Sequence, residues 1–280
     1  MAGILYLVAT PIGNLGDMTP RGIETLQNVD VIAAEDTRNS IKLLSAFDIH
    51  TPMTSYHEYN KVEKADQLIV QMQAGKNIAL ITDAGTPAIS DPGEVLVQKC
   101  QEAGINVTSL PGPAACITAL TLSGVPTRRF CFEGFLPADK KERKEVLAEL
   151  AEESRTMILY EAPHHLVKTL TDLSETLGNR KITLCRELTK KFETILPTTI
   201  AEALQKYETE DPRGEYVLVI AGKSREEKKR EQIAAWEDMS IEEHMAYSEK
   251  TGMDSKSAMK QVAKDRGVGK REIYDYLHKG

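Results

Sequence analysis

Residues 77–93, N-I-A-L-I-T-D-A-G-T-P-A-I-S-D-P-G, constrain the fold more than any other stretch of the chain. Ile78, Ala79, Leu80 and Ile81 form a short unbroken apolar run bounded by turn residues, the pattern of a strand buried on both faces of a parallel sheet. A loop dense in Gly, Pro, Asp, Thr and Ser follows, at the carboxyl end where open α/β sheets bind their ligands. Gly85 and Gly93 admit backbone angles closed to other residues, and Pro87 and Pro92 lock theirs, so the loop is expected to hold one shape. It reads as a preformed cradle, or as no more than a tight strand-to-helix connection. The remainder of the chain decides.

Residues 3–9 predict a first strand, followed by a second turn-rich loop, T-P-I-G-N-L-G-D at 10–17. Thr19 as N-cap with Pro20 at the first helical position marks a helix start. A strand over 30–34 ends in Glu35, Asp36, Thr37 and Arg38. These charges face the ligand side of the sheet, or Asp36 or Thr37 simply caps the helix running to Phe47. A short extended piece near Met53 leads into S-Y-H-E-Y-N at 55–60 and then a helix over 61–74, for which Asn60 and Glu63 are expected to form a capping box. A helix over 94–103 and a strand over 106–110 complete an alternation that predicts a parallel sheet.

Pro111, Gly112 and Pro113 break the chain rigidly before a small-residue helix, and a domain boundary is placed there. Beyond it, strands near 130–135, 156–161, 182–187, 192–196 and 215–221 are interleaved with helices at 140–152, from His164 onward, and at 200–207. This predicts a second α/β layer with mixed strand directions. The expected domains are 1–111, 112–223 and 224–280.

The last of these differs in character. Residues 222–230, G-K-S-R-E-E-K-K-R, read as a solvated linker or a helix start. With Ser255 as cap, Ala258, Met259, Val262 and Ala263 recur at helical spacing; after a turn at Gly267 and Val268, Ile273, Tyr276 and Leu277 repeat the period. Helix, Gly turn, helix is the pattern of a helix-turn-helix. The 280-residue chain has a formal net charge of −7, which excludes a surface that binds nucleic acid everywhere. Residues 250–280 nevertheless carry eight Lys and Arg against four Asp and Glu. Such a local excess suits phosphate contact, or belongs to a small helical cap with ordinary surface charges. Cys100, Cys116, Cys131 and Cys185 stand alone, with no C-x-x-C pair and no metal-ligand spacing, so reduced, buried thiols and no metal site are expected. No apolar stretch approaches the ~20 residues that span a bilayer. Residues 1–11 lack a basic leader and run into a predicted strand, so a cytoplasmic location is expected.

Three rigid loops, 10–17, 83–93 and 111–116, thus lie at carboxyl ends of parallel strands and are expected to converge on a nucleotide-like ligand. Neither G-x-G-x-x-G nor G-x-x-x-x-G-K-[ST] occurs in them, which removes the dinucleotide fingerprint and the NTPase phosphate loop. A pocket of backbone amides, small side chains and Asp83, with few cations, suits a cationic or zwitterionic adenosine ligand over a triphosphate.

Five motifs in order then match a known family: A-T-P-I-G-N-L-G-D (9–17), A-E-D-T-R (34–38), D-A-G-T-P-A-I-S-D-P-G (83–93), P-G-P-A-A (111–115) and F-E-G-F (132–135). Residues 3 to about 223 resemble the tetrapyrrole (corrin/porphyrin) methylase superfamily, and within it the branch that methylates small-subunit ribosomal RNA. The tail resembles that branch's small carboxyl-terminal domain. The resemblance implies an α/β fold with a parallel-sheet N-terminal domain, a mixed-sheet second domain and a helical C-terminal appendage. It also implies a homodimer, S-adenosyl-L-methionine as cofactor, and 2′-O-methylation of a cytidine in the decoding region of 16S ribosomal RNA. Carried over by position, it places the cofactor against Thr10, Pro11, Asp83, Ala84, Gly85, Thr86, Ala88, Ile89, Ala115, Cys116, Tyr160, Glu161, Ala162 and Pro163. Ala114 stands where the branch often has Ser, and Thr10 and Pro11 stand where the wider superfamily is richer in Gly.

Such a reaction requires a protein that aligns a ribose oxygen, excludes water and removes a proton. His57 and Glu58, in a polar loop on the ligand side, are the candidate bases; Glu35, Asp36 and Arg38 are candidates for orienting the ribose. Arg186, Glu187, Lys190 and Lys191, in C-R-E-L-T-K-K, offer a charged strand end for RNA phosphates, or surface ion pairs. Two rival readings are a methylase of the same superfamily acting on a porphyrin precursor, which has no use for a basic tail, and a cofactor-sensing nucleic-acid-binding regulator. Turnover of the cofactor separates the last from the others.

Overall fold

The computed structural model describes residues 1–234, 236 and 239–278. They form two compact units, 1–148 with 156–221 and 149–155 with 222–280. No helix among the described residues is long and apolar enough to cross a membrane.

The first unit opens with strict alternation: β1 (Ile4–Val8), α1 (Pro20–Asn28), β2 (Val31–Ala34), α2 (Thr37–Ala46), β3 (Met53–Ser55), α3 (Lys61–Gln73), β4 (Ile78–Ile81), α4 (Gly93–Glu102) and β5 (Asn106–Leu110). The five strands are parallel in the order β3-β2-β4-β1-β5. β4 is buried at every residue because successive side chains point to opposite faces and both faces are covered. Ile78 and Leu80 pack with Leu68, Met72, Leu96 and Cys100 from α3 and α4. Ala79 and Ile81 pack with Leu26 and Leu44 from α1 and α2. The apolar run at 78–81 therefore joins two cores.

Local chemistry sets the helix starts. Thr19 Oγ1 accepts from the Gly22 amide at 3.0 Å with Pro20 in the first turn, and Asp36 caps α2 by accepting from the Arg38 amide at 2.8 Å. The expected capping box at Asn60 and Glu63 does not form. Asn60 Oδ1 instead accepts from the His57 amide at 2.8 Å, because the loop 55–60 turns back on itself before the helix begins.

The rest of this unit comprises α5 (Ala115–Leu122), β6 (Phe130–Phe135), α6 (Lys140–Glu152, whose residues from Glu149 on count with the second unit), β7 (Thr156–Glu161), α7 (Leu166–Leu177), β8 (Lys181–Arg186), β9 (Thr194–Thr199), α8 (Ile200–Tyr207) and β10 (Tyr216–Ile220). The sheet order is β6-β7-β10-β8-β9, with β6 and β7 parallel and the other pairs antiparallel. The expected strand at 192–196 begins later, at Thr194, since residues 187–193 form a turn. The small residues of α5 let it lie against this sheet: Cys116, Ala119 and Leu120 pack with Ile158, Cys185, Val217 and Val219. Three of the cysteines are buried as expected, while Cys131 is only half-buried near the start of β6.

The second unit contains α9 (Arg225–Ala234), α10 (Ile241–Lys250), α11 (Ser255–Asp265) and α12 (Lys270–His278). The helix-turn-helix pattern corresponds to α11 and α12, and the stretch read as linker or helix start becomes α9. Asp254, not Ser255, caps α11, accepting from the Ser257 amide at 2.6 Å. Met245, Ala258, Met259, Val262, Ala263 and Ile273 form the core of this unit.

Tyr56 ties the edge of the first sheet to the cradle. Its ring is 1 % exposed and its hydroxyl donates to the Pro92 carbonyl at 3.0 Å. Tyr56→Phe, which keeps the ring and removes the donor, is expected to lower stability by about 1 kcal/mol. Urea unfolding checks this as a lower midpoint with an unchanged slope.

Candidate functional site

The three loops meet through backbone bonds. Thr10 and Gly85 exchange two hydrogen bonds, Thr10 N–H to Gly85 O at 2.9 Å and Gly85 N–H to Thr10 O at 3.1 Å. Gly85 adopts φ +87°, which favours glycine. Thr86 Oγ1 donates to Pro113 O at 2.9 Å and brings in the third loop. Within the cradle, Ala88 and Ser90 hold φ of +67° and +63°, a left-handed conformation that costs non-Gly residues about 1 kcal/mol or more each. Asp91 offsets that strain: its carboxylate accepts from the Ala88 amide at 2.8 Å and the Gly93 amide at 2.8 Å. Burial raises the Asp91 pKa, against the pull of those amides.

The loops form one wall of a cavity of about 380 Å³. Ile12, Ala84, Gly85, Thr86 and Ile89 come from the first sheet's loops, and Ala114, Ala115 and Cys116 from the start of α5. The second sheet supplies Phe135, Tyr160, Glu161, Ala162, Pro163, Cys185, Glu187, Leu188, Lys190, Glu215, Tyr216 and Val217. Tyr160 is held edge-on by Phe132 and Phe135, with ring centroids 5.0 and 5.7 Å away, and its hydroxyl accepts from the Cys116 amide at 3.2 Å. Burial drives the Tyr160 pKa well above its usual value, and pushes the Cys185 thiol up to about 12.

Charge at the cavity is mostly negative and already organised. Lys190 Nζ lies 3.0 Å from Glu187 Oε1 and 2.7 Å from Glu215 Oε2. Burial opposes its charge, but these two carboxylates outweigh burial and raise its pKa. Glu187 also accepts from the Glu215 amide at 2.9 Å, which heads the causes that lower its pKa. A Cβ on Gly13 would fall 2.4 Å from Lys190 Cγ, so only glycine lets the first loop press against this cluster. Glu161, 6 % exposed, accepts from Thr169 Oγ1 and from the Ala162 amide. Arg143 extends the chain, donating to Thr169 Oγ1 at 2.8 Å and to Asp172 at 2.7 Å, while Lys168 reaches Asp172 at 3.0 Å.

Of the sequence-predicted residues, Ala84, Gly85, Thr86, Ile89, Ala115, Cys116, Tyr160, Glu161, Ala162 and Pro163 line the cavity. Thr10, Pro11, Asp83 and Ala88 stand outside its lining. Thr10 is fully buried and gives its hydroxyl to Thr82 O, Asp83 accepts from Asn39 at 3.0 Å, and Ala88 faces Asp91. Glu35 Oε2 accepts from Thr82 Oγ1 at 2.6 Å, and Asp36 pairs with Arg38 at 2.8 Å, the Arg38 guanidinium holding its pKa down to about 2. Glu58 pairs with Lys61. His57 Nδ1 and Arg186 Nε are buried without a hydrogen-bond partner.

Glu35 thus touches the end of β4, whereas His57 and Glu58 stand farther off. The first-sheet catalytic candidates stand at the ends of β2 and β3, and β3 is two strands from β4, roughly 10 Å at the usual strand spacing. Lys190, expected to reach RNA phosphates, is instead locked between two carboxylates, and Lys191 Nζ lies over the Phe192 ring at 5.5 Å. Ile12, Cys185, Leu188, Glu215, Tyr216 and Val217 are cavity residues that sequence reasoning missed. Tyr216 and Val217 lie in the apolar run Y-V-L-V-I at 216–220, which marks a buried strand without naming its neighbours. Among the described residues no group of three or more His, Cys, Asp or Glu could hold a metal ion.

A parallel sheet and a mixed sheet with a cavity walled by both define a class, and the chain belongs to the Tetrapyrrole (Corrin/Porphyrin) Methylases, whose profile matches residues 4–204. Within that class it is 48% identical over 273 residues to the Ribosomal RNA small subunit methyltransferase I of Synechocystis sp., covering 97% of this chain and 96% of that one. The protein of the same name from Bacillus subtilis is 48% identical over 276 residues (99% and 94%), and that from Haemophilus influenzae 54% over 227 residues (80% of each). Two solved structures share the fold. A diphthine synthase aligns with a TM-score of 0.61 at 12% identity, covering 79% of this chain and 91% of that one. A uroporphyrin-III-C-methyltransferase from Thermus thermophilus aligns at 0.55 and 18%, covering 78% and 94%.

Two outcomes are expected. Asp91→Ala leaves the Ala88 and Gly93 amides without their acceptor and should cost about 2 kcal/mol or more, whereas Asp91→Asn, which keeps one acceptor oxygen, should cost less; chemical denaturation ranks the three. The second concerns Asp172. Burial raises its pKa, but hydrogen bonds from Lys168 and Arg143 more than reverse this and leave it below 3.8. Its contribution to stability is therefore complete above that ordinary value and is lost as pH falls through the lower folded one. Urea midpoints for Asp172→Asn should lie below wild type at about pH 6, with the gap closing below about pH 4.

Proposed function

We propose that this protein transfers a methyl group from S-adenosyl-L-methionine to the 2′-oxygen of a cytidine in the decoding region of 16S ribosomal RNA. It acts in the cytoplasm as a homodimer on the assembled 30S subunit, with working domains 1–111, 112–223 and 224–280. The observation that carries this reading is the near full-length identity to the small-subunit ribosomal RNA methyltransferases named above.

The cavity fits the cofactor by size and by charge. Its volume lies within the range of small-molecule sites, and its lining carries three carboxylates, Glu161, Glu187 and Glu215, against the single ammonium of Lys190. That balance suits a sulfonium and an ammonium and repels a polyphosphate. Ala84, Gly85, Thr86 and Ile89 hold one side, with Thr10, Pro11, Asp83 and Ala88 behind them; Ala115, Cys116 and 160–163 hold the other. When bound, the cofactor supplies an electrophilic methyl group to a ribose hydroxyl. The chain's own task is to orient that hydroxyl, exclude water and take its proton. His57 and Glu58 are the candidate bases; Glu58 is engaged by Lys61, and Glu35 by Thr82. Glu35, Asp36, Arg38 and Arg186 position the nucleotide.

The test is transfer of labelled methyl to small ribosomal subunits, naked 16S RNA and a porphyrinogen. Label on ribose in the subunit is expected; label on the porphyrinogen alone, or binding without transfer, overturns the reading. His57→Ala should slow single-turnover transfer about 100-fold or more at saturating cofactor. A rate equal to wild type removes His57 from the mechanism.

A further inference from the structure

The second unit carries charges that the cavity does not use. Of the eight cations in 250–280, Lys279 lies outside the described residues. Two of the four acids of that stretch are engaged elsewhere. Asp254 is committed to the amide of Ser257, and Asp265 is 5 % exposed and accepts from Gln261 at 2.8 Å. Lys256, Lys260 and Lys264 recur every fourth residue of α11, about 6 Å apart in one exposed stripe, opposite the buried Ala258, Met259, Val262 and Ala263. On α12, Lys270, Tyr274 and His278 fall at the same spacing, with Arg271 beside them and Ile273 buried. The Tyr274 and His278 rings stack at 4.2 Å and 14°. Lys256, Lys260, Lys264, Lys270 and Arg271 are all exposed, and none forms an ion pair among the described residues.

Helix stability does not account for this pattern. The dipole favours Lys264 in the last turn of α11, but like charges at i,i+4 repel along that helix, and Lys270 and Arg271 occupy the first turn of α12, where the dipole disfavours cations. α10, in the same unit, has the favourable arrangement, with Glu242 and Glu243 in its first turn and Lys250 in its last. A polyanion reverses the sign of these terms.

We propose that the exposed faces of α11 and α12 form a docking surface for the RNA backbone, with Lys256, Lys260, Lys264, Lys270 and Arg271 against phosphates. The Tyr274–His278 stack offers a platform for an unpaired base. Charge complementarity selects the occupant: a dense row of unpaired cations on a chain of net charge −7 matches a polyanion locally and repels it elsewhere. The proposal takes only the source of the RNA, the small ribosomal subunit, from the reading above.

The experiment uses the full-length chain. Wild type, Lys256→Gln/Lys260→Gln/Lys264→Gln, and a control with the same charge change on α6, Lys140→Gln/Lys141→Gln/Lys144→Gln, are titrated with protein-free 16S RNA from about 50 to 300 mM KCl. The α11 variant should bind at least tenfold more weakly at low salt, and its log–log salt slope should be shallower by about 2, at roughly 0.7 per lost phosphate contact. The control should keep the wild-type slope. Tyr274→Ala should lose roughly tenfold in affinity for single-stranded RNA and little for a duplex. In methyl transfer, the α11 variant should raise KM for the RNA substrate and leave kcat unchanged. An unaltered affinity and slope in the α11 variant, or an equal loss in the α6 control, overturns the surface. So does loss of binding to anionic vesicles or an acidic protein with RNA binding intact. If wild type methylates no RNA, the proposed activity fails while the salt slopes still decide the surface.

Discussion

Two hydrogen bonds between Thr10 and Gly85 are the joint on which the site depends. They make one surface of loops that follow β1 and β4, adjacent strands of a parallel sheet whose loops would otherwise diverge. Each loop is separately stiffened, the first by a 3-10 turn at Leu15–Asp17 and the second by Asp91. Because the bridge uses backbone atoms, it constrains geometry more than side-chain identity. Glycine at 85 is the exception, required by its φ of +87°. The buried Thr10 hydroxyl, bonded to Thr82 O, anchors the joint to the end of β4.

The second sheet completes the cavity by a different kind of contact. Residues 187–190 form a tight turn in which Glu187 and Thr189 both take positive φ. The turn persists because the Glu187 carboxylate is bound by the Glu215 amide and by Lys190. The same bonds remove the positive charge of Lys190 from the cavity's account and leave a rim of carboxylates. An ion cluster that looks in sequence like a phosphate grip thus becomes a lining suited to a cation. Electrostatic selectivity here follows from which partners are in reach, not from how many lysines a strand end carries.

The second unit shows the complementary case. Two acids of residues 250–280, Asp254 and Asp265, are engaged by a helix cap and a buried contact, while the lysines of α11 stay exposed. An anionic partner is the simplest physical reason to keep cations where helix electrostatics oppose them.

The sequence by itself determined the architecture of the first sheet, the cradle's position and the start of α1. Those features are local: the burial of β4 is written in four consecutive apolar residues, and Thr19 with Pro20 acts on amides a few residues away. The second sheet was legible as strands, but its cavity face was not. β10 lies between β7 and β8, which precede it in the chain, and that insertion brings Glu215, Tyr216 and Val217 to the cavity. Short strands carry no record of their neighbours. Tertiary structure alone also decided that Asn60 turns back to His57, that Lys190 is paired with Glu187 and Glu215, and that a buried ring nitrogen of His57 has no partner. Each of these depends on where a polar atom finds its partner once the backbone is in place. Side-chain pairing is settled by proximity in the folded chain, which sequence spacing does not encode.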